Sequence, residues 1–247
     1  MKEQKKTISG ITSYTGIGLH YGQICTVTFK PAGEDDGIVF VRTDLPGQPV
    51  IPADIDHVID ISRGTTIGIA DASVATVEHV LAAIKGMDID NIRVEINGPE
   101  APVADGSALR FMELLEDVGV VEQESEREYF EFDEPINFSA PEDNVDVVIV
   151  PSNELKVTFL VDYKQPSLGT QYTWLPSMEY FKNDFAPART FCFLHEIMML
   201  KEHGLIKGGS LDNAIVFADA ETDAAELERL VAGQIEKAAA ELLTPPV

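Results

Sequence analysis

Thr76-Val-Glu-His-Val-Leu-Ala-Ala-Ile-Lys85, stopped by Gly86 and followed by the run Asn91 to Ile96, decides the fold class. Val77, Val80, Leu81 and Ile84 fall at i, i+3, i+4 and i+7, one stripe of a helix. Thr76 is a natural N-cap and Gly86 a natural stop, and the residues from Asn91 to Ile96 read as a strand. Toward the N-terminus, Ile24 to Lys30 alternates, with Cys25, Val27 and Phe29 on one face, and Ile38 to Val41 is a short β-branched and aromatic run; both read as strands. Tyr14-Thr-Gly-Ile-Gly-Leu-His20 reads as a turn. Its glycines fit positions that need positive φ better than a phosphate loop, because a third glycine and a following helix are missing. Toward the C-terminus, Ser107 to Val118 reads as a second amphipathic helix, with Leu109, Met112, Leu115 and Val118 repeating.

Between Val121 and Glu128 the chain becomes Glu-Gln-Glu-Ser-Glu-Arg-Glu, polar throughout, which reads as a linker. It divides an N-terminal subdomain, residues 1–123, from a C-terminal one, residues 124–247. The second half carries strand-like Val145 to Val150 and Leu155 to Val161, helix-like Leu194 to His203, strand-like Asn213 to Phe217 and helix-like Asp223 to Val231. Helix, Gly86, then Ile89-Asp-Asn-Ile92 is echoed by helix, Gly204, then Leu211-Asp-Asn-Ala-Ile215, a weak internal repeat that points to two similarly built subdomains. Strands first, then helices and strands intermixed, is the pattern of an α+β fold rather than of a doubly wound parallel sheet.

The 247 residues can bury a sizeable core, and the composition is that of a folded protein. Charge excludes more than it suggests. Against 42 acidic residues stand 18 basic ones, a formal charge of -24 that repels nucleic-acid backbones and anionic headgroups. The first residues, Met-Lys-Glu-Gln-Lys-Lys-Thr-Ile-Ser-Gly, have no apolar segment behind them and do not read as a secretory signal. No apolar run approaches the roughly 20 residues of a membrane-spanning helix. The two cysteines, Cys25 and Cys192, suggest neither a disulfide framework nor a cysteine zinc site, so a cytoplasmic protein is the expectation.

Chemistry concentrates on the first helix. Glu78 and His79 lie off its apolar stripe, yet the neighbouring positions one turn on are Ala82 and Ala83, so the second face is not solvent-like either. A carboxylate and an imidazole buried side by side need partners, and a divalent metal is one. The helix N-terminus disfavours the imidazolium and so favours the neutral ring that binds metal. A backbone-capping arrangement accounts for the same pair without any metal. Asp105 and Ser107 in Pro102-Val-Ala-Asp-Gly-Ser107 precede a helix, where they either cap it or support a histidine from behind. Pro187-Ala-Arg-Thr-Phe-Cys-Phe193 sets a cation and a hydroxyl beside two aromatics, and Gly208-Gly-Ser210 is a close-approach turn. His195 and His203 read as surface or helix-end residues.

Together these stretches resemble the UDP-3-O-acyl-N-acetylglucosamine deacetylase family. The matching segments are Tyr14 to His20, Ser62-Arg-Gly-Thr65, Ala75 to Val80, Gly86-Met-Asp-Ile-Asp-Asn-Ile92, Gly98 to Ser107, Ala188-Arg-Thr-Phe191 and Gly208 to Val216, in family order up to about Val231. The resemblance implies two α+β subdomains, each a sheet layer with helices, with the helices packed between the sheets and one Zn2+ at their junction. It makes His79 a zinc ligand and Glu78 the general base. It gives Thr190 to oxyanion stabilisation and Asp105 to support of the site. Phe191, Phe193, Gly209, Ser210 and Ala214 would border the passage for a fatty acyl chain. The implied substrate is an acylated UDP-sugar on the route to lipid A. A fused or coupled hydroxyacyl-carrier-protein dehydratase is a candidate partner of the full gene.

The chain departs from the family after about residue 231. The family's further zinc ligands, a histidine and an aspartate four residues on, and its later general-acid histidine have no counterpart, because no histidine follows His203. The expectation is a truncated second subdomain, and the alternative function is a relative that binds the acylated sugar nucleotide without hydrolysing it.

Overall fold

The computed structural model describes residues 3–165, 168–218 and Glu228. The chain starts with β1 (Gln4–Ile8), β2 (Thr12–Ile17), β3 (Ile24–Pro31), β4 (Ile38–Arg42) and β5 (Val50–Pro52). A short meander follows, β6 (Val58–Asp60), β7 (Thr66–Ile69) and β8 (Ala72–Val74). Then come α1 (Glu78–Gly86), β9 (Ile92–Ile96), α2 (Leu109–Val118) and β10 (Val120–Glu126). The second half has β11 (Ile136–Ala140), β12 (Val145–Ile149), β13 (Val157–Asp162), β14 (Thr170–Leu175), β15 (Phe191–Phe193), α3 (Leu194–Glu202) and β16 (Ile215–Phe217). This is an α+β fold, as the order of patterns indicated.

The first half is built on a five-stranded sheet in the order β2-β3-β9-β4-β5, in which only β4 and β9 run parallel. The alternation in β3 does what its spacing predicts: Cys25, Val27 and Phe29 are buried, and so are Ile92, Val94 and Ile96 beside them on β9. Val80, Ala83 and Ile84 of α1 and Phe111, Met112 and Leu115 of α2 complete the same core. Phe111 meets Phe29 and Tyr14 edge-on, at centroid distances of 6.3 and 5.8 Å. Each large side chain so buried contributes about 1.5–3 kcal/mol, which is why two short helices stay docked. Phe181 packs against this core and Ala186 is buried in it, so residues 181–186 of the second half meet the outward side of α1 and α2.

Three local readings change. The stretch from Tyr14 is no free turn, because Thr12 to Ile17 is strand β2, paired in register with β3. Thr76 does not cap α1 through its side chain; it sits before the helix at φ 57 and gives its hydroxyl to Glu100 instead. The polar run expected as a linker is strand β10, which pairs antiparallel with β1 and reaches Glu126, past the expected boundary at residue 123. Hydrophobicity alone missed it because its outer face is solvent and its pairing supplies backbone hydrogen bonds rather than burial.

The second half is thinner. β11–β12 and β13–β14 are two-stranded hairpins, and Phe138, Val148, Phe159, Leu160, Tyr172 and Trp174 on them are all exposed. β15 and β16 are parallel with α3 between them in sequence. The expected helix from Asp223 to Val231 lies outside the described residues. Among the described residues no helix is long and apolar enough to cross a membrane.

An ion cluster fastens β10 to the first half. Arg127 reaches Asp90 at 2.6 Å and Asp88 at 2.9 Å, and Lys6 of β1 reaches Asp88 at 2.6 Å. Burial pushes the Asp88 carboxyl up, but hydrogen bonds from Lys6 and Arg127 outweigh it and hold it below the usual carboxylate range. A depressed folded-state pKa stabilises the fold above the unfolded value of about 3.9, and that contribution is lost as pH falls through the folded one. Arg127→Ala takes the arginine from Asp90 and leaves Asp88 with Lys6 alone. The expected loss is about 2 kcal/mol in urea denaturation at pH 7, less than the roughly 3–5 of a fully buried pair because Asp88 is partly in water. The difference from the native chain should shrink below pH 4 as the carboxylates protonate. An unchanged midpoint at pH 7 would show that β10 holds by its backbone alone.

Candidate active site

The site is assembled from three pieces of chain that meet through backbone atoms. Glu78 opens α1, and one of its carboxylate oxygens accepts the Thr65 amide at 2.9 Å, so the loop at 63–65 is drawn over the helix N-terminus. His79 follows. Burial lowers the basicity of its imidazole, and although Glu78 and Asp105 both pull the other way, burial prevails and the ring tends to the neutral form.

Asp105 is held by its own turn: it accepts the Ser107 amide at 3.1 Å and the Ser107 hydroxyl at 2.8 Å, and the Ser107 oxygen in turn accepts the Leu109 amide at 3.2 Å. Of the two alternatives read from the sequence, these bonds are those of a turn that closes on the start of α2. The next residue, Gly106, has φ 87, and a Cβ there would stand 2.2 Å from the Asn213 carbonyl oxygen. That absence of a side chain lets the second half in. Thr190 donates its amide to the Gly106 carbonyl at 2.8 Å and accepts the Ile215 amide at 2.9 Å. Arg189 clamps the junction, donating Nε to the Asp105 carbonyl at 2.6 Å and Nη2 to the Leu211 carbonyl at 3.0 Å. Thr190 thus reaches the Asp105 turn although 85 positions separate them.

Beside this junction lies a cavity of about 310 Å³. Thr190, Phe191, Gly209, Ser210 and Ala214 all line it, together with Leu19, Ile197, Leu200, Ile206 and Val216. Its polar wall is His20, Arg63 and Lys201. Phe193 stands outside it, edge-on to Phe191 at 6.1 Å and stacked on His195 at 5.7 Å, where it backs the wall. Glu78, His79 and Asp105 do not line it; they connect to lining residues through the chain, since Thr65, which donates to Glu78, is two residues from Arg63, and Gly106, beside Asp105, accepts the Thr190 amide.

The residues missed from sequence are on the N-terminal side of the cavity. His20 is nine-tenths buried, and Arg63 pairs with Glu196 of α3 at 2.8 Å. The signal for both was present in Tyr14 to His20 and Ser62 to Thr65, stretches singled out without their side chains being assigned a task. His195 is exposed, and His203 caps α3 with its ring on the Met199 carbonyl, the helix-end place expected of it.

A zinc site needs about three protein ligands. His79 is suited to be one, because burial lowers the basicity of its imidazole and so favours the neutral ring that binds metal. Among the described residues no group of three or more His, Cys, Asp or Glu comes together to hold an ion. The donor set is therefore incomplete within them.

A family model described as "LpxC: UDP-3-O-acyl N-acetylglycosamine deacetylase" matches residues 5–229. A bifunctional LpxC/FabZ enzyme of Chlorobaculum tepidum is 49% identical over 227 residues, covering 92% of this chain and 49% of that protein. The UDP-3-O-acyl-N-acetylglucosamine deacetylase of Bdellovibrio bacteriovorus is 46% identical over 213 residues, 86% of this chain and 70% of its own. That of Chlamydia abortus is 38% identical over 221 residues, 89% and 78% of the two chains. The chain thus spans about half of the bifunctional relative and somewhat over two thirds of the other two.

Gly106→Ala should open the junction. The substitution combines a left-handed backbone with a clash on a carbonyl oxygen that has no free rotor, and about 2 kcal/mol of destabilisation is expected. Hydrogen exchange at the Thr190 amide reports the junction directly: faster exchange in the variant is expected, and unaltered protection would mean that the two halves are held together elsewhere.

Proposed function

Because the chain belongs to the UDP-3-O-acyl-N-acetylglucosamine deacetylase family, we propose that it serves removal of the N-acetyl group from an acylated UDP-sugar in lipid A synthesis. The observation that carries this reading is the acid and imidazole at the start of α1, one loop away from a largely aliphatic cavity with a polar wall. Glu78 acts as the base that takes a proton from the attacking water. The Thr65 amide fixes the direction of its carboxylate. Thr190 stabilises the developing oxyanion, and Asp105 keeps His79 in place. Phe191, Gly209, Ser210 and Ala214 receive the acyl chain, with Phe193 behind them.

His79 is proposed as one ligand of a zinc ion. When bound, zinc supplies an activated water and polarises the amide carbonyl. The cytoplasm is the proposed setting, since reducing conditions suit the two free thiols of Cys25 and Cys192. The name of the Chlorobaculum relative supports a fused or coupled hydroxyacyl-carrier-protein dehydratase in the whole gene. A second reading is that the chain binds the acylated sugar nucleotide without hydrolysing it; it is kept because no three metal donors come together among the described residues.

Metal content separates the two. With one histidine in place, the 247-residue chain should purify with little zinc and show negligible deacetylation; stoichiometric zinc with full activity would show that other residues complete the site. In the protein expressed from its whole gene, Glu78→Gln should lower turnover by about 100-fold to 10,000-fold with zinc content nearly unchanged. Near-normal deacetylation by that variant removes Glu78 from the role of base.

The cavity makes a separate demand on substrate. Each buried methylene contributes about 0.8 kcal/mol, so a long-chain acylated sugar nucleotide should outcompete plain UDP-N-acetylglucosamine by several powers of ten in competition binding. Equal affinity for both would mean that the acyl chain does not enter the cavity.

A further inference from the structure

Glu100 is a carboxylate that the proposed chemistry does not use, and it is 1% exposed. One of its oxygens accepts the His20 amide at 2.7 Å and the Thr76 hydroxyl at 2.9 Å; the other accepts the Tyr21 amide at 2.8 Å. Three donors converge on a single buried anion, the arrangement that makes such burial tolerable. The space is made for it: a Cβ on Gly18 would lie 2.3 Å from the carboxylate. The backbone locks the same crossing, with Ala75 donating to Pro99, Ala101 to Ala75 and Val103 to Ile17.

What these donors have in common is their neighbours. His20 and Leu19 line the cavity, while Thr76 lies two residues before Glu78 and three before His79. Thr76 has φ 57, a left-handed conformation unfavourable for a β-branched residue, held only where the surroundings over-determine it. The His20 ring, nine-tenths buried, lines the cavity with no partner for its Nδ1 among the described residues and its Nε2 3.3 Å from the Arg63 carbonyl oxygen. The ring has that one contact at its edge, and its backbone is held by Glu100.

We propose that Glu100 is a positioning residue: its carboxylate ties the strained residue ahead of the acid–imidazole pair to the His20 wall of the cavity, and so fixes how the bound chain lies relative to Glu78. The inference rests on the proposed deacetylase reading for its kinetic arm and on the cavity alone for its binding arm. Glu100→Gln keeps the volume but turns an amide group toward one of the donors. Thr76→Val removes the hydroxyl with little change of shape, and Thr76→Ser restores it.

The test compares these variants in the whole-gene protein, reading kcat, KM for the acylated sugar nucleotide and Tm, with binding of a fluorescent long-chain fatty acid to each as a measurement independent of turnover. A displacement of about 1 Å can lower a rate about 100-fold, so Glu100→Gln and Thr76→Val should lower kcat by roughly 10-fold to 100-fold while the protein stays folded. Thr76→Ser should stay near the parent. The proposal is overturned if kcat and KM of Glu100→Gln remain within about twofold of the parent, or if its losses simply follow the unfolded fraction. Should Glu100→Gln fail to fold, Thr76→Val carries the same decision. If the parent binds fatty acid and does not turn over, the deacetylase reading fails, and weaker or unchanged fatty-acid binding by Glu100→Gln then supports or overturns the positioning role.

Discussion

The hydrogen bond from the Thr190 amide to the Gly106 carbonyl is the constraint on which the site depends. It joins a turn of the first half to a strand start of the second using main chain alone, so it makes no demand on side-chain identity beyond the missing Cβ of Gly106. Asp105 precedes Gly106, and Phe191 follows Thr190 into β15. Ile215, which donates to Thr190, begins β16 on the far side of α3. A cavity between β15, β16, α3 and the turn at residues 18–20 is the geometric result.

Chemistry and packing share the start of α1 unequally. The inner stripe, Val80, Ala83 and Ile84, is committed to the core and fixes the axis. The first turn carries Glu78 and His79 instead: Glu78 holds the Thr65 amide, and burial lowers the basicity of His79 against the opposing pull of Glu78 and Asp105. Glu100 completes the division of labour, since it holds the residue ahead of the helix by a side chain when the helix has no side-chain cap of its own.

The core was legible in the sequence because periodicity reports burial. The β3 alternation and the α1 and α2 stripes reappear as buried side chains, and the repeated Asp-Asn before β9 and β16 has a physical basis. Asn91 and Asn213 are both buried, and the side chain of each accepts a backbone amide, Asn91 from Gly37 just ahead of β4 and Asn213 from Ser210. Glu78, His79, Asp105 and Thr190 were legible as reactive residue types, and the family resemblance gathered them. β10 was not, since a strand that pairs without being buried leaves no apolar period. Glu100 was not legible either. A glutamate in a Gly-Pro-Glu-Ala loop reads as surface, and only the fold brings the His20 and Tyr21 amides and the Thr76 hydroxyl onto it.

The pairing of β1 with β10 also sets an order in time. Lys6 faces Glu122 and Ile8 faces Val120, so the first strand made waits for one made more than a hundred residues later. During synthesis β1 is an unpaired edge for most of that interval, a template for wrong partners on the growing chain or its neighbours. The bulge between Gln4 and Lys6 and the lysines at positions 5 and 6 blunt that edge while it waits. The N-terminal half can therefore close only once the ribosome has passed Glu126, and its last step is a long-range one, the slow kind in chain folding. The exposed apolar hairpins β11–β14 emerge after that point, onto a first half whose sheet is already complete.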